Sequence, residues 1–188
     1  MSAEHASIAA AQTSACWSCG VPLASAAPFC AACQAVLPPG QIDHFARLGL
    51  ERSYAVDLAA LDRAYFALQR RLHPDRFVRK QPRERAISQQ QAAALNEAYE
   101  TLKHPIRRAR YLAELMGVDL PGDGRTIDDP VLLMEAMEAR EALTEAGSVA
   151  EVQALERTSG AERAAAIDAL TDLFAKADQA GIRRAILR

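Results

Sequence analysis

Aromatic residues are scarce in this chain: 5% of its 188 positions are Phe, Trp or Tyr, with a single Trp. A core built from it must be aliphatic. Alanine supplies much of the 50% hydrophobic fraction, so small residues at helix contacts are expected. No apolar run approaches the length of a membrane span, which argues against a spanning helix. An excess of one charge is missing as well; the formal net charge of −2 points to no general affinity for nucleic acid or anionic membranes. Met1 to Ala15 contains neither Lys nor Arg and no apolar stretch. It reads as a disordered Ala/Ser tail, not as a secretory signal or a mitochondrial presequence. Without export, the cysteines are expected to be reduced and the chain to be cytoplasmic in a bacterium.

Cysteine is absent from all but one stretch. Cys16 and Cys19 form one Cys-x-x-Cys pair, Cys30 and Cys33 a second, with ten residues between them. Two facing thiolate knuckles are what a closed tetrahedral zinc site needs, with all four ligands from protein and no open position for catalysis. Gly20 permits the tight turn that points backbone amides at the sulfurs. A pair of disulfides is the bland alternative, and a rubredoxin-like iron centre of an electron carrier has the same ligand spacing. Zinc is favoured because nothing else in the sequence points to redox work. The segment is too small for a core of its own, so metal would supply most of its folding energy, on the order of 10 kcal/mol. Trp17 and Phe29 are expected to cover the site. A nucleic-acid-binding zinc ribbon would need a basic surface here, and no Lys or Arg occurs between Ala15 and Gln41.

After a Pro38-Pro39-Gly40 linker, Ile42 to Leu50 reads as a short helix, with Phe45 and Leu48 packing inward, His44 on the surface and Gly49 closing it. Asp57 is a good N-cap for a helix reaching Leu72. Leu58, Leu61, Tyr65, Leu68 and Leu72 form its apolar stripe. Arg63, Ala67 and Arg70, with Arg71 nearby, fall on the opposite side. That side is either a solvated helix back or a docking face for an acidic partner. His73-Pro74-Asp75 follows. Pro74 disfavours helix at His73 and stiffens the turn. Asp75 lies between Arg71 and Arg76 as an exposed carboxylate able to pair with a partner arginine. Separately, the histidine reads as a helix-end residue and the aspartate as a turn former.

A basic loop containing Arg76, Arg79, Lys80, Arg83 and Arg85 leads to a second helix, from about Arg83 to Lys103, with Ile87, Gln91, Ala94, Leu95, Ala98 and Leu102 on one face. The tripeptide therefore sits at the tip of a helical hairpin. Asn96 is a candidate for ordering the hairpin loop. Pro105 restarts a helix that runs to Met116 and ends at Gly117, packing through Ala109, Leu112 and Ala113 with Arg107, Arg108 and Arg110 as a basic surface. Leu120 to Gly124 reads as a linker. A helix capped by Asp129 then splits into two sides. Leu132, Ala136, Ala139 and Leu143 are expected to pack, while Leu133, Met134, Met137, Glu138 and Glu141 suit a partner surface or burial between flanking helices. Ser148 caps a last long pattern through Val152, Leu155, Leu170, Phe174 and Ala177, bent or interrupted near Thr158-Ser159-Gly160, and a final helix starts at Ala180.

The run Tyr65-Phe66-x-Leu68-Gln69-x-x-Leu72-His73-Pro74-Asp75-Arg76-Phe77 resembles a J-domain, the module that docks onto seventy-kilodalton heat-shock chaperones and stimulates their ATP hydrolysis. Phe45-x-x-Leu48-Gly49-Leu50 and Asn96-Glu97-Ala98-Tyr99-x-x-Leu102 fit the same family. Arg76 stands where lysine is common and keeps the charge. Pro105-x-x-Arg108-Ala109-x-Tyr111-Leu112 resembles the HscB-type branch, the co-chaperones of iron–sulfur cluster assembly. Leu132-Leu133-Met134-Glu135-x-Met137-Glu138-x-Arg140-Glu141 is similar to the helix with which that branch binds its scaffold protein. The cysteine segment resembles an extension found in some of its members.

The resemblance implies an all-α fold: a tail at 1–15, a zinc-knuckle segment and linker at 16–40, a J-domain at 41–118 and a helical scaffold-binding domain at 119–188. The last reads as truncated against the family pattern, which continues further and adds an aromatic contact. It implies chaperone contacts at His73, Pro74, Asp75, Arg63, Arg70, Arg71 and Arg76, and scaffold contacts at Leu133, Met134, Met137, Glu138 and Glu141. The implied partners are an HscA-like chaperone and an iron–sulfur scaffold protein, with no nucleic acid, membrane or bound nucleotide. No nucleophile–base pair suggests catalysis by the chain itself. A J-domain protein with an unrelated client is the principal alternative.

Overall fold

The computed structural model describes residues 15–23, 27–122 and 129–187. The tail expected at 1–15, apart from Ala15, lies outside them, as do Asp123 and Gly124 of the expected second linker and Arg188.

Seven α-helices make up the regular structure of the described residues: α1 (His44–Leu48), α2 (Leu58–Leu72), α3 (Pro82–Lys103), α4 (Pro105–Leu115), α5 (Pro130–Glu145), α6 (Val149–Ala175) and α7 (Gln179–Leu187). One 3-10 turn, Pro74–Phe77, follows α2. Two isolated antiparallel bridges, Ala15 with Pro22 and Phe29 with Val36, hold the N-terminal segment. No described helix is long and apolar enough to cross a membrane.

Short polar side chains start the helices where the sequence places them. Asp43, Asp57, Asp129 and Ser148 each accept first-turn backbone N–H groups, each such cap contributing about 1 kcal/mol. Gly49, at φ 68°, closes α1.

Helices α2 and α3 run antiparallel. Their cross-links pair Tyr65 with Asn96, Asp62 with Tyr99 and Leu72 with Ser88, so residue numbers rise on one helix as they fall on the other. Ser88 is fully buried, and its hydroxyl donates to the Leu72 carbonyl at 2.7 Å, giving a terminal α2 carbonyl a partner. One continuous core runs through Phe45, Leu61, Leu72, Leu95 and Leu102 to Leu170 of α6 and Ile182 of α7, and includes Val36 from the cysteine segment. Each such fully buried side chain is worth about 1.5–3 kcal/mol over its exposed state.

Several expectations need correction. Leu58 is exposed, and along the stripe full burial begins at Leu61. His44 is half-buried, stacked on Tyr111 at 4.2 Å between ring centres, and burial pulls its imidazole pKa below the usual value. Arg108 is not on the surface. It turns inward and donates to the Leu102 carbonyl at 2.6 Å, its guanidinium lying 4.9 Å from the Tyr54 ring centre. Asn96 is engaged within the hairpin and not at its loop: its side-chain amide oxygen accepts from the Tyr65 hydroxyl at 3.0 Å. Helix α6 passes through Thr158-Ser159-Gly160 without interruption, Thr158 returning its hydroxyl to the Ala154 carbonyl. Ala177 lies beyond α6, in a left-handed turn at φ 52°. On α5, only Leu132 of the expected packing side is buried; Ala136, Ala139 and Leu143 are exposed.

Candidate functional site

The end of α2 and the start of the 3-10 turn form a fixed protrusion. His73 leaves the helix at ψ 129°, the extended conformation that Pro74 imposes on its predecessor. Its imidazole Nδ1 accepts the Asp75 N–H at 3.3 Å and lies 3.5 Å from the Asp75 carboxylate. The Arg76 N–H donates to the His73 carbonyl at 3.0 Å, and Phe77 anchors the turn in the core. The Asp75 side chain is nonetheless 85% exposed and that of His73 49%. The protrusion is rigid at its base and open at its tip.

Positive charge surrounds it. Arg63, Arg70, Arg71 and Arg76 are all exposed. Arg63 lies 3.7 Å from Asp57, a solvent-screened pair of little energetic weight. Arg71 is engaged differently: its guanidinium stands 4.6 Å from the ring centre of Phe29.

The four cysteine sulfurs lie within 4.8 Å of one another. Cys16 and Cys33 are 3.7 Å apart, and Cys19 and Cys30 3.8 Å. A disulfide needs about 2.05 Å, so both pairs are free thiols. Tetrahedral zinc with Zn–S of about 2.3 Å spaces its sulfurs at about 3.8 Å, and the donor set fits such an ion. The two knuckles fold alike. Cys16 N–H donates to Val21 O and Gly20 N–H to Cys16 O; Cys30 N–H donates to Ala35 O and Gln34 N–H to Cys30 O. Gly20 has φ 75°, and Gln34 adopts φ 61° at the equivalent place. The second left-handed residue was missed because no glycine marks it. The Cys19 backbone N–H, then that of Ser18, draws the Cys16 thiol down to about 6 against the effect of burial. Cys19 receives the Val21 N–H, yet the Cys33 thiol, burial and the other two thiols push it up to about 12. Four sulfurs this close share protons unless a cation replaces them.

Trp17 and Phe29 do more than shield the sulfurs. The Trp17 indole N–H donates to the Val36 carbonyl at 2.7 Å, and its ring lies under Arg83 at 4.8 Å. Phe29 packs on the main core, not on the cysteine cluster. No local sequence signal marks these pairings, which join residues 42 and 66 positions apart.

On α5, Met134 and Met137 are 63% and 71% exposed and Leu133 is 43% exposed. Glu138 and Glu141 are exposed as well. Leu133, Met137 and Glu141 follow at four-residue steps, as do Met134 and Glu138, so the five side chains share a flank turned away from buried Leu132. Val131, also exposed, extends this flank at its start.

Comparisons with known proteins agree with this architecture. Residues 43–111 match the DnaJ domain and residues 128–188 the HSCB C-terminal oligomerisation domain. The co-chaperone protein HscB homolog of Cupriavidus taiwanensis is 46% identical over 136 residues, covering 69% of this chain and 77% of that one. The homolog of Paraburkholderia phymatum is 42% identical over 113 residues, 60% of this chain and 65%, just under two thirds, of its own length. The crystal structure of human co-chaperone protein HscB superposes with a TM-score of 0.84 at 31% identity, covering 93% of this chain and 90% of that chain. With a J-domain hairpin, a helical C-terminal part and a four-cysteine cluster in one chain, the protein belongs to the HscB co-chaperone family.

Proposed function

We propose that this protein stimulates ATP hydrolysis by an HscA-like seventy-kilodalton heat-shock chaperone and delivers an iron–sulfur scaffold protein to it in the bacterial cytoplasm. The observation that carries this reading is the exposed His73-Pro74-Asp75 tip on a hairpin whose near side is basic. The docking contacts are His73, Pro74, Asp75, Arg63, Arg70, Arg71 and Arg76. The arginines attract an acidic chaperone surface, raising the encounter rate. The Asp75 carboxylate then takes a bidentate pair from a chaperone arginine and biases its nucleotide site toward hydrolysis. The chain activates its partner and carries out no reaction itself.

Residues 41–118 form the J-domain in this reading and 119–188 the scaffold-binding part. Leu133, Met134 and Met137 supply adaptable apolar contact, and Glu138 and Glu141 add charge specificity. Holding client and chaperone on one chain converts their meeting into an intramolecular event. Residues 16–40 bind one structural zinc ion through Cys16, Cys19, Cys30 and Cys33. The metal supplies folding energy to the segment and no chemistry to a substrate.

A single-turnover ATPase assay tests the proposal. Chaperone alone, with this protein, and with this protein plus scaffold should give successively higher rates. An unchanged rate in all three would remove the reading.

A further inference from the structure

Each cysteine knuckle carries one aromatic residue directly beside a metal-binding sulfur: Trp17 after Cys16, Phe29 before Cys30. These two rings do not face a common partner. Phe29 lies under Arg71, in the last turn of α2 two residues before His73. Trp17 lies under Arg83, in the first turn of α3. The rings therefore hold opposite ends of the loop that carries the His-Pro-Asp tip. The distance between the rings is tied to the sulfur pairs Cys16–Cys33 and Cys19–Cys30, which join one knuckle to the other.

The grip has a rigid base. Trp17 donates to Val36, which is buried in the main core, and Gln91 of α3 donates to Leu37 at 2.6 Å. On the outer side Phe29 and Gln34 face Arg71, Arg76 and Lys80 across a cleft beside the loop. A face of an aromatic ring attracts a guanidinium without occupying its N–H edge. Arg71 can thus be held by Phe29 and still donate to a partner carboxylate.

We propose that the metal-bound knuckle pair is a clamp on the His-Pro-Asp loop, with Trp17 and Phe29 as positioning residues that set its pose for chaperone docking. This rests on the docking role given above to the tip and on metal occupancy of the four cysteines. Loading the cysteines joins the two rings into one unit; stripping them lets Arg71 and Arg83 separate independently and widens the range of loop conformations. The loop then reaches its docking pose a smaller fraction of the time, and apparent affinity falls by that fraction.

The decisive measurement is amide hydrogen exchange on the zinc-loaded full chain, which requires no partner. Arg83→Gln and Phe29→Leu should each retain one metal per chain while amides of residues 75–80 exchange roughly three- to tenfold faster. Phe29→Tyr keeps the ring face and should restore slow exchange. In single-turnover assays Arg83→Gln should raise the half-saturating concentration by roughly the same factor, with the maximal rate unchanged. Unchanged loop exchange in Arg83→Gln overturns the clamp, and so does unchanged loop exchange in the metal-stripped chain. If Phe29→Leu loses its metal, Arg83→Gln still decides, since Arg83 is not a metal-binding residue. Asp75→Asn separates the two readings: full stimulation by that variant removes the docking role, whereas its inactivity beside unaltered loop exchange in Arg83→Gln removes the clamp alone.

Discussion

The side-chain amide of Gln91 donates to the carbonyl oxygen of Leu37 at 2.6 Å, both residues being buried. Helix α3 is thereby joined to the segment that leaves the cysteine knuckles. Removing the amide leaves a buried carbonyl without its partner, which costs about 1–3 kcal/mol. Gln91→Leu should lower the urea midpoint accordingly without changing the slope of the transition, and Gln91→Glu should do so more strongly above neutral pH.

Chelation should act on the cysteine segment and on the 75–80 loop beside it, not on the helical core. The cysteine segment has three buried residues in its own cluster, Cys16, Cys30 and Leu37, and depends on metal for on the order of 10 kcal/mol. Stripping the ion should shift Trp17 emission to the red and remove amide protection over residues 15–23 and 27–37. Far-ultraviolet circular dichroism from α2 to α7 should change little. Elemental analysis should find one zinc per chain; iron with a reversible redox signal would identify the rubredoxin-like alternative instead.

Asp75→Ala should leave the melting temperature unchanged, because an 85% exposed side chain contributes within about 0.5 kcal/mol of nothing to stability. Stimulation of the chaperone ATPase should disappear in the same preparation. A folded variant with full stimulation would contradict the assigned role.

Met134→Ala and Glu138→Ala should each weaken scaffold binding by about 1–2 kcal/mol, five- to thirtyfold, measured by calorimetry. Both positions are exposed on α5, so thermal stability should hold. Unaltered affinity in both variants would favour a different client.

Acid should weaken the start of α1. Partial burial works against ionisation of Asp43, but the Ala46 N–H at 2.8 Å and the Arg52 guanidinium at 2.6 Å outweigh it and hold the carboxyl below its ordinary range. A depressed folded-state value stabilises above the unfolded pKa, near 4, and that contribution fades as pH falls through the folded one. Asp43→Ala should therefore lose about 1 kcal/mol at pH 7. The gap between the two proteins should shrink below pH 4, as followed by denaturant titration.

Local chemistry explains what could be read in advance. An aspartate or serine before a helix needs only its own chain's first N–H groups, so Asp57, Asp129 and Ser148 were recognisable as caps. The cysteine pairs were equally legible, since each knuckle is closed by hydrogen bonds within five residues. Burial was less legible. Helical spacing placed Leu143 and Ala139 on a packing side, but α5 meets a neighbour only through part of that side. Arg108 looked like surface charge because Tyr54 and the Leu102 carbonyl, its inward partners, lie on other elements.

The sequence by itself determined the helices, their starts, the stiff His73-Pro74-Asp75 turn and the four-sulfur spacing, all of which depend on residues a few positions apart. Tertiary structure alone decided that Phe29 meets Arg71 and Trp17 meets Arg83, that Arg108 faces inward, and that the α5 methionines remain uncovered. Those outcomes depend on which surfaces the folded elements bring together, and periodicity along a chain carries no information about the element that will stand opposite.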